Sequence, residues 1–193
     1  MSAEMPGPGK RQKWKEADPD EILLAASLSD GEAFTILVAR YERKVHGLLW
    51  RLCGPHEELE DLYQQVWIRA WGARAGFQGR SRFGTWLYAI ALNQVREWRR
   101  RRRPQVDIET LPERASDAPS ALDRLLGKAR RGAIEAALGG LAEPDRRVLT
   151  LRYMQDLDYA EIARLERSGV AAVRLRCFRA LRRLKDKLTH SDL

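Results

Sequence analysis

The residues best equipped for chemistry in this chain are aromatic rings and guanidinium groups set at helical spacing. The stretch 77–103, FQGRSRFGTWLYAIALNQVREWRRRRR, joins a glycine-bearing loop to an amphipathic helix that ends in five consecutive arginines, Arg99 to Arg103. At about 100° per residue, Phe83, Trp86, Leu87, Ile90, Ala91 and Trp98 gather on one side, which is the expected core face. Thr85, Tyr88, Leu92, Arg96, Arg99 and Arg103 gather on the other, where an exposed ring would lead into a row of cations. Guanidinium groups neutralise phosphates and stack on bases, and a ring gives an unstacked base a platform indifferent to sequence. Five adjacent like charges repel one another beyond what helix capping needs, so a polyanion or an acidic groove is the expected partner.

A second basic stretch follows near residue 170. Arg174, Arg176, Arg179, Arg182, Arg183, Lys185 and Lys187 face a single acid, Asp186, on a helix running from about Val170 to Leu188. Val173, Cys177, Ala180, Leu181 and Leu184 form its core side. Leu175, Arg179 and Arg182 lie opposite, Arg176 on one flank and Arg174 nearer the buried edge. A shorter helix precedes it, with Asp158 as cap and Glu161 three positions on. Between them Arg167-Ser168-Gly169 reads as a turn. Two helices so joined are the pattern of a helix-turn-helix, whose second helix enters the major groove and pairs arginine with guanine. Catalytic chemistry is harder to find. Paired carboxylates, a nucleophile beside a base, and a metal cluster at usable spacing are all missing. His46, His56 and His190 are scattered, and Cys53 and Cys177 make no CxxC pair. No cofactor or small-molecule substrate is expected.

The elements that must position these residues are all helical. Net charge is formally +8 over 193 residues, which favours a polyanionic partner, and the length suits one ordinary domain or two small ones. No apolar run approaches the roughly 20 residues that cross a bilayer, and the first residues lack the apolar middle of a signal peptide, so a cytoplasmic protein without membrane insertion is expected. Residues 1–17 read as a disordered leader rich in Pro, Gly and charge. Asp18 is placed to cap a first helix, with Glu21 reaching back. A second helix carries Phe34, Leu37, Val38, Tyr41, Val45, Leu48, Leu49 and Leu52 at spacings of three and four and stops at Gly54-Pro55. A third shows Leu59, Leu62, Tyr63, Val66, Trp67, Ala70 and Trp71, with Glu60, Asp61, Gln64, Gln65 and Ile68 on its other face. Residues 104–119, PQVDIETLPERASDAP, form an acidic extended linker. Ser120 with Asp123 then opens a helix that reaches Gly139-Gly140. The architecture is all-α: a helical domain over 18–103, the linker, and a helix-turn-helix domain over 120–193.

Assembled in this order, the residues resemble the bacterial sigma-70 family, and within it the small two-domain extracytoplasmic-function (ECF) group. DLYQQVWIRAW (61–71) looks like the helix that binds core RNA polymerase. FQGRSRFGTWLYAIALN (77–93) looks like the segment that melts the promoter and reads the −10 element. LAEPDRRVLTLRYMQDLDYAEIA (141–163) followed by VAAVRLRCFRAL (170–181) looks like the domain that reads the −35 element. The resemblance implies a dissociable specificity subunit rather than an enzyme, with core RNA polymerase, promoter DNA and an anti-sigma factor as partners. Asp61, Gln64 and Gln65 would dock on the polymerase. Phe77, Gly79, Arg80 and Ser81 would form the loop that holds an extruded base, and Trp86, Tyr88, Asn93, Arg96 and Arg99 would meet the melted strand or its upstream edge. Arg174, Leu175, Arg176, Phe178 and Arg179 would face the −35 element. The chain also departs from the family pattern. Gln65 stands where Glu is usual and Arg80 where an acid or small polar residue is. Leu92 replaces a commonly basic residue, which either weakens a phosphate contact or marks a protein-facing surface. The turn lacks its usual glycine, so the chain must either re-route through Gly169 or cross its helices differently.

Overall fold

The computed structural model describes residues 14–102 and 132–191, and every regular element among them is helical. In order these are α1 (Asp20–Ala26), α2 (Gly31–Cys53), α3 (Leu59–Ala73), a 3-10 turn (Arg74–Gly76) and α4 (Phe83–Arg101). Then come α5 (helical residues 132–139), α6 (Glu143–Leu149), a π turn (Thr150–Met154), α7 (Tyr159–Glu166) and α8 (Val170–Ser191). Residues 1–13 of the leader, the linker 104–119, the Ser120/Asp123 cap, Arg103 and the His190 side chain lie outside the described residues.

α1 to α4 form the first lobe around one apolar core. Asp30 starts α2 by accepting from the Glu32 N–H, and the helix ends where Gly54 takes a φ of 76°, a conformation glycine adopts without strain. Leu37, Val45, Leu48 and Leu49 of α2, Val66 and Ala70 of α3, and Phe83, Leu87 and Ala91 of α4 are sealed from solvent. Phe34 meets the edges of Trp67 and Trp71 at 5.9 and 5.1 Å, and Tyr41 meets that of Phe83 at 5.2 Å. Rings set edge to face in this way add about 0.5–1.5 kcal/mol per pair beyond the area they bury. Arg69 of α3 clamps Glu97 of α4 with two bonds of 3.1 and 2.8 Å.

The start of the lobe differs from the expectation. Asp18 does not cap α1; its carboxylate accepts from the Lys15 N–H, and Pro19 holds the cap position without a side-chain bond. Residues 14–17, assigned by composition to the leader, are tied down. Trp14 donates its indole N–H to Asp30 at 2.8 Å, and Arg40 of α2 reaches the Glu16 and Asp18 carbonyls and the Asp20 carboxylate. The half-buried guanidinium carries five N–H donors and directs them at these acceptors, which ties the segment to α2.

α5 to α8 form the second lobe around Leu138, Val148, Leu149, Leu151, Ile162, Val173, Cys177 and Ala180. α7 opens with a capping box: Asp158 accepts from the Glu161 N–H at 2.7 Å and Glu161 accepts from the Asp158 N–H at 3.0 Å. At its end the turn is not re-routed through Gly169. Arg167 itself takes the left-handed conformation, φ 52° and ψ 46°. Its N–H donates to the Arg164 carbonyl at 3.3 Å and the Ser168 N–H donates to the Ala163 carbonyl at 3.0 Å. That pair of bonds is a Schellman ending, and it offsets the strain of a side chain at positive φ.

Candidate nucleic-acid interface

Three surfaces carry the residues singled out from the sequence. On α3, Asp61, Gln64 and Gln65 are exposed, and Ile68 beside them is 59% exposed. Their spacing places them on the helix face opposite Leu62, Val66 and Ala70, which are buried against α2 and α4. A single exposed aliphatic is ordinary on a helix exterior, so it is the combination with Asp61, Gln64 and Gln65 on one uncovered face that makes this a candidate docking surface.

The second surface surrounds the loop 76–82. Gly79 turns the chain at a φ of 66°, leaving Arg80 exposed and Ser81 half-buried. Phe77 and Trp86 are both half-buried with their rings 5.4 Å apart, and Trp86 also touches Phe83 at 5.6 Å. Trp86 is therefore anchored on one side and accessible on the other. The loop and the start of α4 thus join a ring pair to exposed polar groups, a geometry that can receive an unstacked base.

The rest of the α4 stripe departs from the expectation. Tyr88 is 2% exposed, not an outward ring, and Thr85 and Leu92 are buried with it. Tyr88 packs near Tyr41, and burial pushes its hydroxyl well above the ordinary tyrosine range. The physical reason is that the second lobe lies over this stripe. Thr85 donates its hydroxyl to Glu161 at 2.7 Å and Arg82 grips the same carboxylate through Nε at 2.9 Å and through Nη2. Arg96 donates to the Leu165 carbonyl at 3.1 Å and to Asn93 at 2.9 Å, and Arg99 pairs with Glu143 at 2.6 Å. Of the alternatives the sequence left open for Leu92, the protein-facing one holds, and the protein is this chain. Burial would raise the Glu161 carboxyl, but bonds from Arg82, Thr85 and the Asp158 N–H outweigh it and hold the group down at about 2. Glu161 thus serves both the α7 cap and the junction of the lobes. The cap was legible from the spacing; the junction, between residues 76 and 79 positions apart, had no local signal.

The third surface is the outer face of α8. Arg174, Leu175, Arg176, Phe178 and Arg179 are all exposed, Phe178 at 68%. Arg174, which helical angle alone set near the buried edge, is turned outward and lies over the Tyr159 ring at 5.5 Å. A cation held over a ring loses less freedom when it binds. Val173, Cys177 and Ala180 on the reverse side hold the helix to its lobe.

Comparison with known proteins fixes the family. The family model described as sigma-70 region 2 matches residues 37–105, and that described as sigma-70, region 4 matches 131–184. The chain is 32% identical over 180 residues to the ECF RNA polymerase sigma-E factor of Escherichia coli (strain K12), covering 88% of this chain and 94% of that one. It belongs to the sigma-70 family, in the ECF group. It is also 35% identical over 161 residues to the RNA polymerase sigma-H factor of Pseudomonas aeruginosa, with 78% of this chain and 83% of that one covered. Among solved structures, CnrH in complex with the cytosolic domain of CnrY superposes with a TM-score of 0.66 at 28% identity, over 90% of this chain and 99% of that one. The sigma factor RpoE in complex with the anti-sigma factor NepR from Bartonella quintana has the same fold, with a TM-score of 0.69 at 21% identity, over 81% and 96% of the two chains. In sigma-70 terms, region 2 contains most of α2 together with α3 and α4, and region 4 contains α5 to α7 and most of α8. Among the described residues no group of His, Cys, Asp and Glu could hold a metal ion, and no helix is long and apolar enough to cross a membrane.

Proposed function

We propose that this ECF sigma factor is a dissociable, non-catalytic subunit that joins core RNA polymerase in the cytoplasm, directs it to promoters and is restrained by an anti-sigma partner. The observation that carries the reading is that the two family regions occur in order and each presents an outward face of the chemistry its task needs. The α3 face of Asp61, Gln64, Gln65 and Ile68 docks on core polymerase, with Ile68 as its apolar anchor. Phe77, Gly79, Arg80, Ser81 and Trp86 hold a base of the melted −10 element, and Asn93, Arg96 and Arg99 follow the adjoining phosphates. Tyr88, sealed under region 4, has no part in base contact in this arrangement. Arg174, Leu175, Arg176, Phe178 and Arg179 read the −35 duplex, the arginines by paired bonds to guanine and the apolar side chains by contact with thymine methyls. That CnrH, 28% identical to this chain, is solved in complex with the cytosolic domain of CnrY supports a protein partner for the regulatory part of the reading.

Reconstitution tests it. Core RNA polymerase mixed with the purified chain is expected to start transcripts at discrete promoters on a genomic template. Ile68→Asp is expected to weaken binding to core polymerase at least tenfold while helicity is retained. A chain that folds but neither binds core polymerase nor redirects it overturns the proposal.

A further inference from the structure

The charged contacts across the junction of the lobes share a polarity. Each charged link described between the lobes has its arginine on region 2 and its oxygen on region 4: Arg82 with Glu161, Arg96 with the Leu165 carbonyl, Arg99 with Glu143, and Arg51 with Glu135 at 2.6 Å. Oxygen acceptors aligned on a row of guanidinium groups have the chemistry of a phosphate backbone. We propose that region 4 acts as an internal nucleic-acid mimic: in the free chain its acids and carbonyl occupy the α4 cations that −10 DNA needs, and Glu161 is the latch. The proposal rests on the reading of α4 given above.

Three further features agree with a contact built to open. The junction adds charged pairs to apolar packing, and its polar groups are imperfectly satisfied. Gln155 of region 4 donates to the Lys44 carbonyl at 3.2 Å while its own side-chain oxygen lies buried with no partner, a cost that opening removes. Opening leaves α7 intact, because the bonds between Glu161 and Asp158 lie within region 4 and persist when Arg82 and Thr85 withdraw. The −35 face is also not involved: Arg174, Leu175, Arg176, Phe178 and Arg179 stay exposed in the closed arrangement. The closed chain therefore occupies Arg82, Arg96 and Arg99 while the loop 76–82 and the duplex surface stay free.

Glu161→Gln separates the two roles of this residue, since glutamine still closes a capping box but carries no charge. The full chain, free of polymerase, is measured by small-angle scattering and by fluorescence anisotropy with a labelled single-stranded DNA of mixed sequence, about 20 nucleotides being enough to follow the α4 arginines. Glu161→Gln combined with Glu143→Gln is expected to enlarge the radius of gyration and to tighten binding of this probe at least fivefold. Arg82→Gln, on an exposed side chain outside region 4, is expected to enlarge the chain in the same way, so a folding defect in one variant does not decide the matter. Unchanged dimensions in all variants, or expansion without tighter binding, overturns the latch. Transcription by the wild-type chain with core polymerase is measured alongside. If it proceeds while the variants behave as wild type, the latch alone is refuted; if it is absent, the reading of the protein as a promoter-selecting subunit is refuted.

Discussion

Replacing Arg167 with glycine should stabilise this sigma factor, although it deletes a side chain and touches no core residue. Arg167 ends α7 at φ 52° and ψ 46°, where the β-carbon of an L-residue crowds the following carbonyl. That crowding costs about 1–2 kcal/mol. Glycine removes it, but loses about 0.5–1 kcal/mol because its unfolded chain is freer. The two Schellman bonds, from the Arg167 N–H to Arg164 and from the Ser168 N–H to Ala163, are backbone bonds and survive the change. The net gain is about 0.5–1 kcal/mol, which for a chain of this size corresponds to a rise of about 1–4 °C in Tm. Urea unfolding of the full chain followed by far-ultraviolet circular dichroism measures it, with Arg167→Asn and Arg167→Val as companions. The expected order is Gly above wild type, Asn near or slightly above it, and Val below, since a β-branched residue tolerates positive φ worst. A glycine variant less stable than wild type, or a valine variant equal to it, would refute the claim that backbone strain at Arg167 limits the turn.

Other expectations follow from single contacts. Gly84→Ala places a β-carbon 3.0 Å from the Tyr41 ring and 3.1 Å from its hydroxyl, and that ring is fixed by Asp20 and Phe83. Overpacking of about 1–3 kcal/mol should exceed the roughly 1 kcal/mol alanine gains in a helix, leaving a lower urea midpoint. Arg179→Ala should cost about 1–3 kcal/mol on promoters with the preferred −35 element if the contact is to a base; equal loss on all sequences, measured by anisotropy with reconstituted polymerase, would mean a phosphate contact. The stability gap between wild type and Glu161→Gln should be flat above about pH 5, because a carboxyl lowered from 4.5 to about 2 contributes fully above its unfolded value. It should shrink as pH falls from there toward 2; a gap that widens on acidification would show that Glu161 is not held ionised by Arg82 and Thr85.

Much of the fold was readable because it is local. Three-four spacing in α2 and α3 places Leu37, Val45, Leu48, Val66 and Ala70 in the core, and each is buried. The Asp158–Glu161 capping box was legible for the same reason, as its partners are three residues apart. Helical angle gave Leu175, Arg176 and Arg179 of the α8 face; Phe178 came from the resemblance, Leu181 was read as core but is exposed, and Arg174 lies outward over Tyr159, a ring 15 positions away in sequence. Misreadings came where a residue or a helix face had a second partner available. Asp18 had the type and spacing of a cap, yet its carboxylate turned back to the Lys15 N–H. In α4 the hydrophobic pattern shows two apolar sides, and one sequence cannot say whether the second is covered by bases or by another part of the chain.

The order of elements, the helical class, the basic faces and the family itself were set by the sequence alone, because periodicity, capping residues and charge are local properties of a chain. The fate of the α4 stripe was decided only in three dimensions. Tyr88, Thr85 and Leu92 are buried because region 4 returns to cover them, held by Glu161 on Arg82 and Thr85. An ion pair between residues 79 apart leaves no trace in either segment, and its strength depends on a burial that exists once both lobes have folded.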